Sequence, residues 1–360
     1  MSKPVLFVTN HAPPYRVGAF AALHEREDVL FALVGGDVRH GGGGTAGEAL
    51  PFPHLHIAQR DVGALAAGGA FRAVVAGISG RVALPAAHRG ARRARVPFVL
   101  WATLWAHPRT AAHALSYLPL RAIYRDADAI ATYGPHVSAY VRAKGARAPV
   151  VEAPQAVDTD FWSSAAQRPA RQHSYQVLFA GRLSGEKGLG VLLTAWRASG
   201  LQVPQAALVL VGEGRFRAPS FATSAVLSAG PQAPGEVRNF YAGSDVVVMP
   251  SVPTRDFLEP WGLVANEAFH QGTPVIASTA VGAVAGGLVR DGRNGLVVPA
   301  GDPAALAAAI RRLHDEPALR ARLGEQARED VKPYTQAAWA AGMSRALAAA
   351  GVSRTEPALP

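Results

Sequence analysis

The chain has 360 residues, of which 49% are apolar, so two domains with separate cores are expected. Cysteine is absent, which excludes a disulfide framework and a thiolate metal site. The N-terminus lacks a signal-peptide pattern and no apolar run approaches the ~18–20 residues of a membrane span, so we expect a cytoplasmic protein.

Apolar runs alternate with helical patterns in the first half of the chain. Strands are predicted at 5–9, 29–34, 55–58, 73–77, 97–102, 130–132 and 150–152, and helices at 17–25, 84–95 and 135–144. A glycine-rich loop is predicted at 35–47. Strands that alternate with helices predict right-handed βαβ units and a parallel sheet.

The alternation stops at 159–174, where Ser, Gln, Pro and Arg predict a linker, and then resumes. Strands are predicted at 177–180, 207–211, 225–228, 246–250 and 274–277, helices at 189–198 and 303–314, and a hairpin-like segment at 292–298. We therefore predict an α/β protein of two doubly wound, Rossmann-like parallel-sheet domains that face a cleft. The predicted bounds are 1–165 and 166–334, then a helix at 335–352 that returns to the first domain, and a disordered tail at 353–360.

The formal net charge is +10, which suits nucleic acid, an anionic membrane or an anionic substrate. The densest basic run is formed by four arginines, Arg89, Arg92, Arg93 and Arg95. It has no interleaved aromatic residues and no nucleic-acid motif nearby, so no nucleic-acid partner is predicted. We interpret the run as a solvated helix face, with a contact to an anionic membrane as the alternative.

Two carboxylates bracket residues 259–267, EPWGLVANE. Pro260 and Gly262 predict a turn, followed by a helix that carries Glu267. The backbone N–H groups of Gly262, Leu263 and Val264 would face an anion at the helix N-terminus. Glu267 suits the two hydroxyls of a ribose and Glu259 those of a sugar, although acidic residues also favour an ordinary helix start.

Residues 180–188, AGRLSGEKG, form a second motif between a predicted strand and a predicted helix. Arg182 and Lys187 on a glycine-rich loop suit a diphosphate, although an exposed basic turn is the alternative. The spacing fits neither a P-loop, since Glu186 stands where Gly is required, nor a dinucleotide-binding fingerprint.

Together the two motifs resemble those of retaining family 4 glycosyltransferases of GT-B fold, which contain Gly-Arg-Leu-x-x-x-Lys-Gly and Glu-Pro-Phe-Gly-x-x-x-x-Glu. Here Trp261 replaces the commoner Phe. The resemblance extends to residues 153–158, 239–245 and 272–277, is strong in the second half and loose in the first.

The resemblance implies that the second domain binds a nucleoside-diphosphate sugar and the first binds the acceptor. Gly181, Arg182 and Lys187 would hold the diphosphate, with Arg182 and Lys187 stabilising the leaving group. Glu259 would contact the sugar and the transition state, and Glu267 the ribose. Gly262, Leu263 and Val264 would add backbone donors, and neither a metal nor another cofactor is expected.

Four residues of the first domain are candidates for the acceptor side. His107 follows the fifth predicted strand, where the resemblance implies a catalytic role, although a structural histidine is the alternative. His11, Tyr15 and Arg16 follow the first strand, in a loop that departs from the frequent Gly-Gly loop of the family. The Asp-x-Asp triplets at 126–128 and 158–160 are interpreted as helix-end or turn residues rather than metal ligands.

We therefore predict a bacterial retaining, metal-independent glycosyltransferase with a hydroxyl acceptor in cell-surface polysaccharide or glycolipid synthesis, with a peripheral contact to the inner membrane face. One alternative is transfer to a small soluble natural product. Alternatives of another class are a GT-B nucleotide-sugar epimerase or hydrolase, and a non-catalytic scaffold that binds sugar nucleotides.

Overall fold

A computed structural model of the chain describes residues 3–35, 50–78, 82–168, 173–214 and 225–353. Residues 36–47 of the predicted glycine-rich loop and 354–360 of the predicted tail lie outside these ranges. The chain divides into two compact units, Met1–Asp158 with Thr335–Pro360, and Thr159–Tyr334.

Strands and helices alternate along both units. In chain order they are β1 Val5–Thr9, α1 Pro14–Glu27, β2 Val29–Leu33, β3 His54–His56, α2 Val62–Ala67, β4 Ala73–Gly77, α3 Ala83–Ala94, β5 Phe98–Ala102, α4 Ala111–Asp126, β6 Ala129–Thr132, α5 Pro135–Ala143, β7 Val150–Glu152, α6 Thr159–Ser163, β8 Tyr175–Ala180, α7 Leu189–Ser199, β9 Ala206–Val211, β10 Val226–Gly230, α8 Pro234–Gly243, β11 Val246–Met249, α9 Val264–His270, β12 Val275–Ser278, α10 Gly282–Ala285, β13 Gly295–Val298, α11 Pro303–Asp315, α12 Pro317–Val331 and α13 Gln336–Ala349.

The first unit contains a seven-stranded parallel sheet of order β3-β2-β1-β4-β5-β6-β7. Its central strands are apolar along their length because both faces are covered by helices. The strand order reverses between β1 and β4, which opens a crevice at their carboxyl ends.

The last helix of the chain, α13, belongs to the first unit. The hydroxyl of Thr335 caps it by accepting a hydrogen bond from the backbone N–H of Ala338. Its Trp339 is fully buried, with ring centroids 5.6 Å from Phe20 on α1 and 5.6 Å from Trp101 on β5. The end of the chain therefore completes the core of the first unit.

The second unit contains a six-stranded parallel sheet of order β10-β9-β8-β11-β12-β13. Here the order reverses between β8 and β11. The unit begins with α6, because Trp162 packs against Tyr241 with ring centroids 5.8 Å apart. The division between the units thus falls at Asp158, ahead of the bound at 165 that the composition favoured.

Several elements of both units differ from the sequence-based expectation. The hairpin predicted at 292–298 is wrong: β13 pairs in parallel with β12, after a turn closed by Gly292 N–H to Gly295 O at 2.9 Å. The helices that were not predicted are α2, α4, α6, α8, α10 and α12, and α6 lies within the predicted linker. Pro119 interrupts the pattern of α4, and α12 has a low content of apolar residues.

Candidate functional site

The basic loop of the second unit leaves the carboxyl end of β8. Gly181 has φ +142° and Gly188 has φ +75°, so both adopt backbone conformations that favour glycine. A Cβ at Gly188 would collide with the carbonyl oxygen of Pro250, which follows β11. The loop is therefore pressed against the end of the neighbouring strand, and its short 3₁₀ turn, Gly185–Lys187, is held there.

This packing places Lys187 against Glu259. The Lys187 Nζ donates a hydrogen bond to Glu259 Oε2, and the Ser251 hydroxyl donates to the same oxygen at 3.1 Å. Glu259 is only 7% exposed, so its charge needs these partners. Arg182 lies more exposed and pairs with Glu186 at 3.1 Å. The two sequence motifs thus meet at the reversal point of the sheet.

The turn that follows Glu259 has the predicted geometry. Gly262 has φ +93°, and a Cβ there would lie 2.5 Å from Met249 Cε and collide with it. Trp261 is buried and its indole N–H donates to Asn266 Oδ1 at 2.7 Å. Helix α9 begins at Val264, directly after Gly262 and Leu263.

Glu267 lies in the first turn of α9. The hydroxyl of Tyr241 donates to its Oε2 at 2.7 Å. Burial raises the pKa of Glu267 to about 7, and the hydrogen bond from Tyr241 partly opposes that shift. The carboxyl group is therefore poised to change protonation near neutrality.

In the first unit, His11, Tyr15 and Arg16 line one pocket of about 170 Å³. Most of its other lining residues lie at or just after the carboxyl ends of β1, β4, β5 and β6; they include Thr9, Asn10, Gly77, Ile78, Thr103 and Tyr133. This is the reversal point of the first sheet. Arg16 is buried there, and its Nη2 donates to the Tyr133 hydroxyl at 2.8 Å.

His107 is placed apart from these residues. Its Nε2 lies 2.8 Å from the carbonyl oxygen of His113 on α4, and its ring packs edge-on against Tyr117 at 5.0 Å. It does not line the pocket described above. A catalytic role for His107 stays a prediction.

The carboxylates of one Asp-x-Asp triplet hold the basic helix face. Asp126 accepts from Arg92 Nε at 3.0 Å and Asp128 accepts from Arg92 Nη1 at 3.0 Å. Asp128 also accepts from the backbone N–H of Phe98 at 2.7 Å. Asp128 therefore ties α3 to β5, and Asp126, the last residue of α4, ties α3 to the end of that helix.

Several neighbours of the predicted residues were not singled out from the sequence. Ser251 and Tyr241 hydrogen-bond to Glu259 and Glu267, and Trp101, Tyr133 and Trp339 surround Arg16. Ser251 directly follows a predicted strand, and that position was its only signal. The others contact the site through tertiary packing, which periodicity does not reveal.

The two parallel-sheet units define the GT-B class of glycosyltransferase structures, which confirms the predicted fold class. Anabaena HepE in complex with UDP aligns with a TM-score of 0.74 at 19% identity, over 96% of this chain and 99% of that one. Sucrose-phosphate synthase from Thermosynechococcus elongatus aligns with a TM-score of 0.69 at 21% identity, over 96% and 98%.

The second unit matches a family model. Residues 160–330 match glycosyl transferases group 1. D-inositol 3-phosphate glycosyltransferase of Corynebacterium glutamicum is 34% identical over 188 residues, which are 48% of this chain and 43% of that protein. Its namesake in Paenarthrobacter aurescens is 32% identical over 51% of this chain and 47% of its own length. The second unit is therefore similar in sequence to the domain that group 1 glycosyltransferases share.

The chain aligns with less than half of the length of each of these two relatives. Among the residues that the structure describes, no helix is both long enough and apolar enough to cross a membrane.

Proposed function

We propose that this protein transfers a sugar from a nucleoside-diphosphate sugar to a hydroxyl acceptor, with retention, as family 4 glycosyltransferases do. The observation that carries the proposal is the contact between Lys187 and Glu259 at the reversal point of the second sheet. Ligands of open parallel sheets bind at such points. A cation beside a carboxylate suits the bond between a sugar and a diphosphate: the cation would bind the phosphate, and the carboxylate would bind the sugar.

In this proposal Lys187 and Arg182 take the negative charge that grows on the diphosphate as the glycosidic bond breaks. Glu259 accepts hydrogen bonds from the sugar and lies where an oxocarbenium-like transition state would develop. The N–H groups of Gly181, Gly262, Leu263 and Val264 supplement the donors to the diphosphate. Glu267, when ionised, accepts both ribose hydroxyls.

The positive charge of the donor site supports a reaction that needs no metal ion. Two cationic side chains, Arg182 and Lys187, lie on the loop that would receive the diphosphate, and they supply the role that a divalent ion fills in other transferases. Addition of a chelator such as EDTA should leave turnover unchanged. A chelator-dependent loss that Mg²⁺ or Mn²⁺ restores would contradict this part of the proposal.

The relatives favour a nucleotide-sugar donor. Anabaena HepE has been crystallised with UDP and with UDP-glucose, and the Corynebacterium relative is named for transfer to an inositol phosphate. We extend to this chain only the donor class, with UDP-glucose as the first compound to test. The acceptor is proposed to be a sugar or glycolipid of the cell surface.

A membrane-bound acceptor is supported by α4. Leu115 and Leu118 on this helix are 83% and 70% exposed, and Arg121 and Arg125 lie on the same helix. Exposed apolar side chains beside arginines are typical of helices that lie on anionic membranes. We therefore propose a cytoplasmic protein with a peripheral contact at the inner membrane face.

The decisive experiment is a donor screen followed by product analysis. One of the UDP-, GDP-, ADP- or dTDP-sugars should raise the melting temperature. The free energy of unfolding should increase by about 3 kcal/mol at a hundredfold excess of this sugar nucleotide over its Kd. Proton NMR of the product should then show the anomeric configuration of the donor. Release of free sugar or of an epimer without acceptor would instead indicate a hydrolase or epimerase, and binding without turnover a scaffold.

A further inference from the structure

On the basis of the glycosyl transfer proposed above, we propose that the pocket of the first unit binds an anionic group of the acceptor, a phosphate or a carboxylate, through Arg16. The pocket lies where β1, β4, β5 and β6 end. In the second unit the corresponding reversal point carries the residues assigned to the donor. The reversal point of the first unit is thus left for the other substrate.

Arg16 is buried, and no residue that the structure describes gives it a carboxylate partner. It is 3% exposed, and the hydrogen bond of its guanidinium within these residues goes to the neutral phenol of Tyr133. Its Nη1 is buried and has no partner among the residues that the structure describes. Within the same residues no ion pair joins Arg16 to an acid. The guanidinium group of arginine is always charged in proteins, so the pocket contains a positive charge.

Aromatic rings surround this charge. The Arg16 Cζ lies 4.9 Å from the ring centroid of Trp101, 5.4 Å from that of Tyr133 and 5.8 Å from that of Trp339. These cation–π contacts offset part of the cost of burial and fix the guanidinium in place. They leave Nη1 without an acceptor among the residues that the structure describes, so a site of fixed orientation and unbalanced charge remains.

The other polar groups around Arg16 add further donors. The indole N–H groups of Trp101 and Trp339 are buried and lack a hydrogen-bond partner among the described residues. Pro13 and Tyr15 line the pocket at the start of the 14-residue helix α1, whose N-terminal end carries a partial positive charge. Of the donors that lack a partner, Arg16 Nη1 and the Trp101 indole N–H belong to residues that line the pocket, and they favour a ligand group made only of acceptors, which is an oxyanion.

The size of the pocket limits the group. A volume of about 170 Å³ holds a phosphate or a carboxylate with part of its sugar, but not a whole disaccharide. An acceptor with a neutral group in this position would leave the Arg16 charge uncompensated. The predicted acceptor class is therefore a phosphorylated sugar or a uronic acid.

Binding of anions is tested in the full-length chain with Arg182→Ala and Lys187→Ala, which removes the anion site assigned to the second unit. Inorganic phosphate, glucose 6-phosphate, glucuronate and glucose are titrated by calorimetry. We expect the anions to bind at least tenfold more tightly than glucose. Tighter binding of glucose 6-phosphate than of glucuronate would identify the anionic group as a phosphate, and the reverse order would identify it as a carboxylate. Equal binding of glucose and of the anions would overturn the inference.

Arg16→Gln, added to the Arg182→Ala and Lys187→Ala substitutions, should weaken anion binding at least tenfold. An unchanged anion affinity would overturn the inference. Because Arg16 is buried and this variant can misfold, Asn10→Asp provides a second test. Asn10 lines the same pocket, so a carboxylate there should pair with Arg16, raise the melting temperature and abolish phosphate binding. A lower melting temperature with phosphate binding retained would refute the assignment.

Failure of the inference differs from failure of the proposed function. Nucleotide-sugar binding is measured separately in the chain with Arg182 and Lys187 intact. Sugar transfer to neutral acceptors with kcat/KM unaffected by Arg16→Gln would overturn the anion site and leave the transferase standing. Anion binding that depends on Arg16, in a chain that binds no nucleotide sugar, would support the site and contradict the transferase.

Discussion

Lys187, on the loop after β8, donates a hydrogen bond to the carboxylate of Glu259, on the segment after β11. The two residues balance each other's charge in a largely buried position. In the proposed reaction Lys187 turns to the leaving diphosphate while Glu259 turns to the sugar. The pair therefore has one role in stability and another in turnover, and substitutions can separate the two.

Lys187→Ala should lower kcat by about 10²–10³-fold, because one preorganised donor to the developing phosphate charge is lost. It should also destabilise the fold by about 1–3 kcal/mol, since the buried Glu259 carboxylate loses one of its hydrogen-bond donors. Adding Glu259→Gln should restore the melting temperature but not the activity. Steady-state kinetics and thermal unfolding of the single and double variants measure both effects.

Lys332→Ala is the matched control. Lys332 pairs with Glu329 on the exposed surface of α12 and its end, in the same unit as Lys187. Exposed ion pairs contribute little, so the free energy of unfolding of this variant should change by less than about 0.5 kcal/mol. Its turnover should not change. An equal loss of activity in both variants would remove Lys187 from the proposed mechanism.

Gly188→Ala should destabilise the second unit by about 2–4 kcal/mol and lower donor affinity. The added Cβ meets the Pro250 backbone, and φ +75° disfavours any other residue. Gly200→Ala is the control, because Gly200 has φ +72° and, its chain neighbours apart, no described residue has an atom within 4 Å of an added Cβ. It should cost only about 1 kcal/mol. Urea titrations that give equal losses would contradict the packing argument.

Donor affinity should fall as the pH drops below 7. Only the ionised form of Glu267 accepts two ribose hydroxyls, and its pKa is raised to about 7 by burial. Apparent Kd for the nucleotide sugar should therefore rise about tenfold per pH unit below 7 and be constant above 8. In Glu267→Gln the dependence should vanish, while Glu236→Gln, on the exposed side of α8, should retain it.

The same shift affects stability. Because the folded-state pKa of about 7 exceeds the ordinary value of 4.5, folding favours the protonated form. The contribution of Glu267 is most favourable below pH 4.5 and is lost as the pH rises towards 7. Glu267→Gln should thus be more stable than the parent by about 1–3 kcal/mol at pH 8, with the difference shrinking at pH 5. Thermal unfolding that shows the reverse trend would contradict the assignment.

Binding to anionic vesicles should depend on α4. Replacing both Leu115 and Leu118 with Asp should weaken co-sedimentation with phosphatidylglycerol vesicles at least about tenfold, because apolar contact area is lost and negative charge is added. Leu227→Asp, at an exposed position of β10 in the second unit, is the control and should bind as the parent does. Identical binding of all three proteins would argue against a membrane contact through α4.

Local sequence determined much of this molecule. The alternation of apolar runs with helical spacing identified most strands, since a strand buried on both faces needs a continuous apolar run. The glycines of residues 180–188 and 259–267 marked the tight loops, because only glycine adopts their positive φ without strain. By contrast, α4 has an interior proline and exposed leucines, so its helical pattern was lost.

Tertiary structure decided how the site residues are paired. The contact of Lys187 with Glu259 and the raised pKa of Glu267 arise only when β8 and β11 become neighbours and α8 covers α9. The surroundings of Arg16 need Trp339 from the far end of the chain. Charge balance and desolvation depend on which groups share a small volume, and that is set by non-local packing rather than by residue order.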